Sequence, residues 1–559
     1  MTVSHFMQTV LTRIKKSSYF IVVVLLFLLL QSCRNDNKNI KGKHIFRYNE
    51  SSGIVTLDPA FARDQAHLWV CNQLYNGLVQ LDDSLNIKPA IAHSWKISKD
   101  GKTYTFYLRN DVFFHDDPVF NGKKRKVTAH DFVYSFQRLA SPSTASPGSW
   151  VFSKVAGNNG NKKFIAENDT VFKIILKTPF PPFLGILTMQ YCSVIPHEAV
   201  KFYGNDFRRH PVGTGPFYLK NWVENIKLVL RKNPGYFEYS KGKRLPFLDG
   251  VAISFLPDKM TAFLQFTQGK FDFLSGIAPS YKDELLDRRG NLRNKYKNKI
   301  TLLKCPYMNT EYLGILVDTS INGEKLSPLK IKAVRKAVQY GFDRKKMVMF
   351  LRNGIGIAGN KGIIPAGFPA YDKDASYGYF YSPDSSRKLL KQAGFSEKNP
   401  LPPVTLYTTA EYVDLCKFIQ SQLEEVGITI NLNVLPAASM REMKANQKLE
   451  FFRASWIADY PDEENYLSLF LSDNFAPAGP NYTHFSDKTF DSLYNVSMSV
   501  INTEKRTAIY RKMDSIVMEQ SPVVILYYDQ VLRFVNKRVK GMTVNPVNLL
   551  NLKNVKIDE

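Results

Sequence analysis

The sequence predicts an α/β fold assembled from more than one structural unit, and three observations carry that prediction. The chain has 559 residues, which at roughly 150 residues per domain means two to four units. Apolar and polar residues alternate with period two at Thr103–Leu108, Phe172–Leu176, Lys227–Arg231, Val404–Thr408 and Thr429–Val434, as half-buried strands do. Helical spacing appears at Ala129–Leu139, Lys330–Tyr340, Asp384–Ala393, Val413–Val426 and Glu504–Glu519. The stretch Asp384–Val434 reads helix, strand, helix, glycine, strand, with Gly394 and Gly427 where helices end on a left-handed residue. Strands alternating with helices of this length indicate crossover units.

The first 32 residues are expected to be a leader rather than part of the fold. Arg13, Lys15 and Lys16 precede Tyr19–Leu30, an apolar run of 12 residues. A comfortable membrane span needs about 20, so the run suits the apolar segment of a signal peptide. Leu30-Gln31-Ser32-Cys33 is similar to a bacterial lipoprotein cleavage box, which would make Cys33 the lipidated N-terminus; an ordinary signal peptide or a membrane anchor is the alternative. Polar Asn35–Lys43 reads as a tether, so residues 33–44 are expected to be a flexible link.

The formal net charge is +25. The basic residues are scattered (Lys123–Lys126, Arg208-Arg209, Lys241–Arg244, Arg344–Lys346) and no nucleic-acid-binding motif accompanies them, so a solvated basic surface is expected and nucleic acid is not. Beyond Cys33, the cysteines Cys71, Cys192, Cys305 and Cys416 lie 111 to 121 residues apart without a CxxC pair. That spacing argues against a zinc site or a disulfide scaffold and for buried free thiols, with one disulfide left open.

No motif supports catalysis or a cofactor. Gly354–Gly359 fits GxGxxG, but a helical segment precedes it where a dinucleotide site needs a strand, and Gly362 and Pro365 follow where a helix should begin. His197-Glu198 lacks the second histidine of HExxH, His115-Asp116-Asp117 has no further ligand at metal spacing, and GxSxG is absent. The chain is therefore expected to hold no metal or cofactor and not to be an enzyme. The basic, partly amphipathic stretch Lys330–Arg352 is expected to present a solvated face.

Phe451–Asn465 is the most telling segment. An apolar, aromatic strand-like run ends on a lone carboxylate, Asp459, followed at once by the turn signal Tyr460-Pro461-Asp462. A carboxylate stranded beside Trp456 and Ile457 is costly unless a cation or several donors meet it. A ligand is one source of that cation; a nearby lysine or arginine of the protein is the other.

Several stretches taken together resemble the family 5 extracellular solute-binding proteins of bacterial ABC importers, the oligopeptide- and dipeptide-binding group. They are Leu57-Asp58-Pro59, Gln73–Leu78, Pro89–Ala92 with Ser94-Trp95, Ser98–Phe106, Val127–Leu139, Gly213–Phe217, Asn233–Tyr236, Val334–Ala337 with Asp343-Arg344, and Leu389–Phe395. The resemblance covers nearly the whole chain from about residue 46. It implies a bilobal periplasmic-binding-protein-like fold, type II-like with an extra inserted domain. The first lobe would be 45–77, 206–305 and the C-terminal return 526–559, the inserted domain 78–205, and the second lobe 306–525.

The same resemblance implies a function: a lipid-anchored binding protein, monomeric, on the periplasmic or cell-surface side, that captures short peptides and passes them to the permease of an ABC importer. It places Asp459 against the peptide α-ammonium. Ser455, Trp456 and Ile457 match the strand that pairs with the peptide backbone, and Arg63, Asp64 and Gln65 match a second backbone-pairing segment. Arg453 matches an arginine that meets the peptide C-terminus at some lengths. In related proteins a disulfide involves the position of Ile457, absent here, with Cys305 the candidate match to its partner. Strand alternation puts Arg453, Ser455 and Ile457 on one face with Asp459 and leaves the Trp456 side chain to core packing on the other. A non-peptide solute (metal chelate, haem or sugar) in the same fold, or a surface lipoprotein serving as an interaction module, are the alternatives.

Overall fold

Two long antiparallel strands run through the middle of the fold and carry the rest of it. The computed structural model describes residues 44–158, 161–318 and 327–558. The expected leader, Cys33 and the tether up to residue 43 lie outside the described residues. Phe46–Glu559 forms one unit by its backbone contacts.

In chain order the principal strands are β1 (Ile45–Asn49), β2 (Ala92–Ile97), β3 (Thr103–Leu108), β4 (Phe164–Asn168), β5 (Val171–Ile175), β6 (Phe217–Val223), β7 (Lys227–Lys232), β8 (Gly250–Ser254) and β9 (Phe273–Ser275). They continue as β10 (Ile300–Ile315), β11 (Ile357–Ala358), β12 (Val404–Thr408), β13 (Ile430–Val434), β14 (Phe451–Ile457) and β15 (Val523–Asn536). Eleven of these form one mixed sheet in the order β6-β7-β8-β1-β9-β15-β10-β14-β12-β13, with β11 added onto β15. Its first half gathers around β9 and β1, its second around β14 and β12. Long strands β10 and β15 pass between the halves: Ile300–Pro306 pairs with Gln530–Asn536, Thr310–Gly314 pairs with Val523–Tyr528, and the register shifts between Pro306 and Thr310. A register shift there bends the ladder where the chain crosses from one lobe to the other.

The helical periods of the sequence become α1 (Gln65–Leu74), α2 (Ala129–Ala140), α3 (Lys332–Tyr340), α4 (Arg344–Arg352), α5 (Pro383–Gln392), α6 (Val413–Glu424) and α7 (Thr503–Gln520). Their ends have local causes. The Thr128 backbone N–H donates to Asp131 Oδ2 at 2.8 Å, closing a capping box on α2. Asp343 caps α4 by accepting from the N–H groups of Lys345 and Lys346. Gly394 and Gly427 take φ of 90° and 89° just past α5 and α6, a conformation glycine adopts without strain. Strands β12 and β13 are parallel with α6 between them, the expected crossover unit.

Packing divides along the same line. One core joins β1, α1, β7, β8 and the tail residues Val535, Leu550, Leu552 and Val555. Trp69 Nε1 donates to the Asn548 carbonyl at 2.7 Å, and Gln73 Nε2 to the Leu550 carbonyl at 2.8 Å, fixing the tail on α1. Strands β2–β5 form a separate four-stranded sheet, yet Phe106, Phe136 and Phe172 belong to that same core. In the second lobe, α7 covers one face of the sheet through Tyr510, Met513 and Val517, while α3, α4 and α6 cover the other. Helices on both faces of a sheet containing parallel pairs make this an α/β lobe. Among the described residues no helix is long and apolar enough to cross a membrane.

One buried acid lies in this second core. Asp514 on α7 accepts from the Ile363 N–H at 2.8 Å, and burial pushes its carboxyl up to about 7. Gly362 is required beside it, since an added Cβ would stand 1.7 Å from Asp514 Oδ2. An acid kept neutral by folding contributes stability that is complete below its unfolded value near 4 and is lost as pH rises through about 7. Asp514→Asn, which mimics the neutral acid, is expected to lose none of it. The stability of the parent relative to the variant should fall by on the order of 3 kcal/mol between about pH 4 and 8 in urea titrations. A difference independent of pH would show that Asp514 is charged throughout.

Candidate functional site

The site is built on β14. One edge of this strand is paired along its whole length with β10, from Phe451 opposite Ile315 to Ile457 opposite Asn309. The other edge meets β12 only at Phe451 and Phe452. From Arg453 to Ile457 the second edge has no strand partner among the described residues, so it can accept another extended chain. The Ala458 N–H still donates to the Met308 carbonyl at 2.9 Å, and there the strand ends. Pro461 cannot donate to a ladder. Asp462 turns inward, taking Tyr510 Oη at 3.0 Å and Arg506 Nη2 at 3.3 Å.

Side chains at successive positions of β14 reach two different cavities. Ser455 and Ile457 line a mainly polar cavity of about 480 Å³, together with Gln65, Asn309, Glu311 and Tyr412. Trp456 and Asp459 line a mainly apolar cavity of about 920 Å³ with Trp150, Lys154, Tyr460 and Asn465. This corrects the expectation that Asp459 shares a face with Ser455 and Ile457; Trp456, on the opposite face as expected, packs against the second core and also lines this cavity. Alternation holds only while the strand lasts; Ala458 is buried, and Asp459 lies beyond the ladder, where the turn swings it to the side of Trp456. Trp456 Nε1 donates to Asn465 Oδ1 at 2.7 Å, which anchors the indole in that wall.

Asp459 stands in a cavity whose lining also includes the acids Glu464 and Asp473 and the cation Lys154. Asp459 is exposed by its surface area, yet the walls of its cavity surround it with protein atoms that displace bulk water around the carboxylate. Burial pushes its pKa up to about 6, against the lowering effect of a hydrogen bond from Asn465. Among the described residues it forms no ion pair. The neighbouring acids differ: Asp462 has Arg506, and Glu464 is held by the hydroxyls of Tyr460 and Tyr494.

Arg453 is placed differently from its expected role. It lines neither cavity. Its guanidinium is paired with Glu311, whose side chain is 4 % exposed, and lies 3.2 Å from the centre of the Tyr412 ring. Asn309 Nδ2 donates to the other Glu311 oxygen at 3.1 Å. Burial raises the Glu311 carboxyl, and the Arg453 charge opposes that shift. A second module repeats the pattern on the same cavity: Arg352 Nη2 meets Asp529 Oδ1 at 2.5 Å and its guanidinium stacks 4.2 Å from the Tyr527 ring centre. Two arginines near the cleft are thus already matched by acids of the protein.

The segment before α1 also splits. Asp64 is the N-cap of α1, accepting from the His67 N–H at 3.2 Å and meeting His67 Nδ1 at 2.6 Å. Gln65 reaches the polar cavity, whereas Arg63 lines a separate recess with Asp58 and Arg138. A helix start fans three consecutive residues in three directions, which a strand-pairing expectation did not foresee. Ile457 faces Asn309 rather than Cys305, and Cys71, Cys192, Cys305 and Cys416 are free thiols. Gly354–Gly356 forms the turn from α4 into β11 and Gly359 follows that strand, so the stretch is not the strand-to-helix turn of a dinucleotide site. Glu311, Arg352, Asp529 and Trp150 were not singled out beforehand; a lone acid amid the apolar run of β10 is the one signal that pointed to Glu311.

Comparison with known proteins gives the family and the fold. The pattern of the bacterial extracellular solute-binding proteins, family 5 Middle, matches residues 86–477. The dipeptide-binding protein of Escherichia coli strain K12 is 26 % identical over 506 residues, covering 87 % of this chain and 89 % of that protein. The periplasmic oligopeptide-binding protein OppA of Salmonella typhimurium strain LT2 is 27 % identical over 538 residues, covering 91 % of this chain and 92 % of that protein. Among solved structures, the ABC transporter-associated periplasmic binding protein DppA from Helicobacter pylori, in complex with the peptide STSA, superposes with a TM-score of 0.74 at 24 % identity, covering 92 % of this chain and 98 % of that one. That likeness shows the bilobal fold. The family match spans well over half the chain, and the chain belongs to the family 5 bacterial extracellular solute-binding proteins, a family of binding proteins rather than enzymes.

Proposed function

We propose that this protein captures short peptides between its lobes and delivers them to the permease of an ABC importer. The observation that carries the reading is Asp459: a recessed carboxylate without an ion pair, at the end of an open strand edge. A peptide offers what that arrangement lacks. Its α-ammonium supplies the missing positive charge, and its backbone supplies donors and acceptors for the free edge of Arg453–Ile457. Affinity then comes from groups that all peptides share. The relatives named as dipeptide- and oligopeptide-binding proteins support the peptide as ligand class. Ligand contacts from both lobes favour the closed arrangement, with the β10–β15 register shift as the bend; a full swing from open to closed requires about 5.5 kcal/mol of differential affinity, within the ~8.2 kcal/mol of micromolar binding. Lipidation at Cys33 would tether the monomer to a membrane near its permease.

In this reading Ser455, Trp456 and Ile457 present the pairing edge and Gln65 faces the bound chain. Asp64 serves as a helix cap, and Arg63 stands outside the peptide path. Arg453 acts as the counter-charge of Glu311.

The test is calorimetric. Free-amine peptides of two to five residues are titrated against their N-acetylated forms. Acetylation removes the cation that Asp459 awaits, at about 3–5 kcal/mol, so affinity should drop at least a hundredfold. Equal affinities would remove the basis of the proposal. Native mass spectrometry of the purified protein should release a mixture of short peptides.

A further inference from the structure

The basic residues are scattered through the sequence, but the fold gathers several of them at one end of the large sheet in the first lobe. Strands β1, β9 and β10 begin at this end and β15 finishes there: Tyr48 stands opposite Phe273, Phe273 opposite Val535, and Ile300 opposite Asn536. Backbone bonds tie the flanking turns together. The Asp272 N–H donates to the Arg47 carbonyl at 2.7 Å, the Asn536 N–H to the Asp272 carbonyl at 2.9 Å, and the Lys537 N–H to the Lys299 carbonyl at 2.9 Å. Lys270, Lys299 and Lys537 are thereby brought to one surface, and all three are exposed. Among the described residues none of them forms an ion pair.

The acids of this end are already met. Buried Asp272 accepts from Arg538 Nε at 2.8 Å and from the Arg47 N–H at 2.8 Å. Asp558 lies 3.7 Å from Lys540 Nζ, and one further acid, Glu559, follows it in sequence. Asp249, just before β8, is likewise engaged. Like charges held together raise the local potential and repel one another unless an anion covers them. The chain also arrives at this end from its N-terminal stretch. Arg34, Lys38, Lys41 and Lys43 stand between Cys33 and His44 with Asp36 the one acid there. That stretch can reach at most about 40 Å, so a membrane holding Cys33 would hold this end near it. A single acyl chain gives marginal, reversible membrane binding, and a polybasic surface beside it makes the anchoring stable.

We propose that this end of the first lobe, with the basic stretch that precedes it, is a docking face for an anionic lipid bilayer, on which Lys270, Lys299 and Lys537 meet the phosphates of acidic head groups. The inference goes beyond the peptide reading and is independent of it. Lipid on Cys33 would add to this contact; the test does without it.

The experiment uses the chain from Cys33 onward, made without lipid, and co-sedimentation with phosphatidylcholine vesicles that contain or lack phosphatidylglycerol. Binding should require phosphatidylglycerol and should fade as added salt screens the charges. Each lysine against an acidic bilayer contributes about fivefold, so Lys270→Gln, Lys299→Gln and Lys537→Gln together should weaken binding about a hundredfold. Lys388→Gln, Lys391→Gln and Lys417→Gln, three exposed positions on α5 and α6, remove the same charge and should leave binding near that of the parent. On the parent itself, the acidic vesicles should shield Lys270, Lys299 and Lys537 from acetylation and leave Lys388, Lys391 and Lys417 open, a readout that needs no variant to fold. No binding to the acidic vesicles, equal losses in the two triple variants, or equal acetylation at both sets of lysines would overturn the proposal. None of these results bears on Asp459, so the peptide reading stands or falls separately.

Discussion

Asp459→Asn is expected to weaken peptide binding by about 3–5 kcal/mol, the usual cost of leaving one member of a recessed charge pair alone. That is at least a hundredfold in Kd. The pH dependence makes the prediction specific. In the empty site Asp459 titrates at about 6 because burial favours its neutral form. An ammonium favours the charged form, so binding must remove a proton when pH is below that value. Affinity should be greatest near pH 7, decline above about 8 as the free peptide's α-ammonium loses its proton, and fall as pH drops through 6, approaching tenfold per unit until the pKa of the complex is reached. The Asn variant has no such proton and should show no such slope. Calorimetry between about pH 5 and 8 decides it; an unchanged slope in the variant would assign the proton elsewhere. The variant should be no less stable than the parent above pH 6, because a raised acid loses its stabilising contribution as pH rises through its folded value. Weaker binding is thus separable from unfolding.

Arg453→Met is expected to cost about 3–5 kcal/mol of folding stability, the range seen when one partner of a buried ion pair is removed. Glu311 has nothing else of equal strength to meet it: Asn309 donates one neutral hydrogen bond, and Arg352 is already committed to Asp529. The loss should depend on pH. Without Arg453 the folded pKa of Glu311 rises further, so the deficit is small below the unfolded value near 4.3 and grows as pH rises toward neutrality. Adding Glu311→Gln should restore most of the loss, since two neutral groups need no pairing. Urea unfolding of the two single variants and the double variant checks the cycle. If Arg453→Met is as stable as the parent and instead weakens binding only for certain peptide lengths, the arginine serves the ligand's C-terminus and not Glu311.

Part of the fold and of the site is legible in the sequence. The segment Asp384–Val434 could be read because each of its signals is local: two helical periods, two alternating strands and two glycines with positive φ. Asp459 could be picked out because a carboxylate ending an apolar run, followed by Tyr-Pro-Asp, is anomalous within a few residues. The acid that Arg453 meets could not be named, because it lies 142 residues away on β10. Nor could the side of Asp459, because alternation says nothing once Ala458 leaves the ladder. Arg63, Asp64 and Gln65 were treated as extended, but Asp64 caps a helix and turns its neighbours apart. In each case a rule of local geometry was carried past the element that sustains it.

The bonds from α1 to the tail set an order of events during biosynthesis. Trp69 and Gln73 find their carbonyl partners at Asn548 and Leu550, almost five hundred residues later. Loop closure over such a separation is entropically unfavourable and slow. The early third of the polypeptide therefore cannot lock while it is still being made; completion waits for the final stretch to arrive. Shortening that stretch by even fifteen residues should leave the opening segments unfinished and protease-sensitive, although the middle of the chain would remain intact.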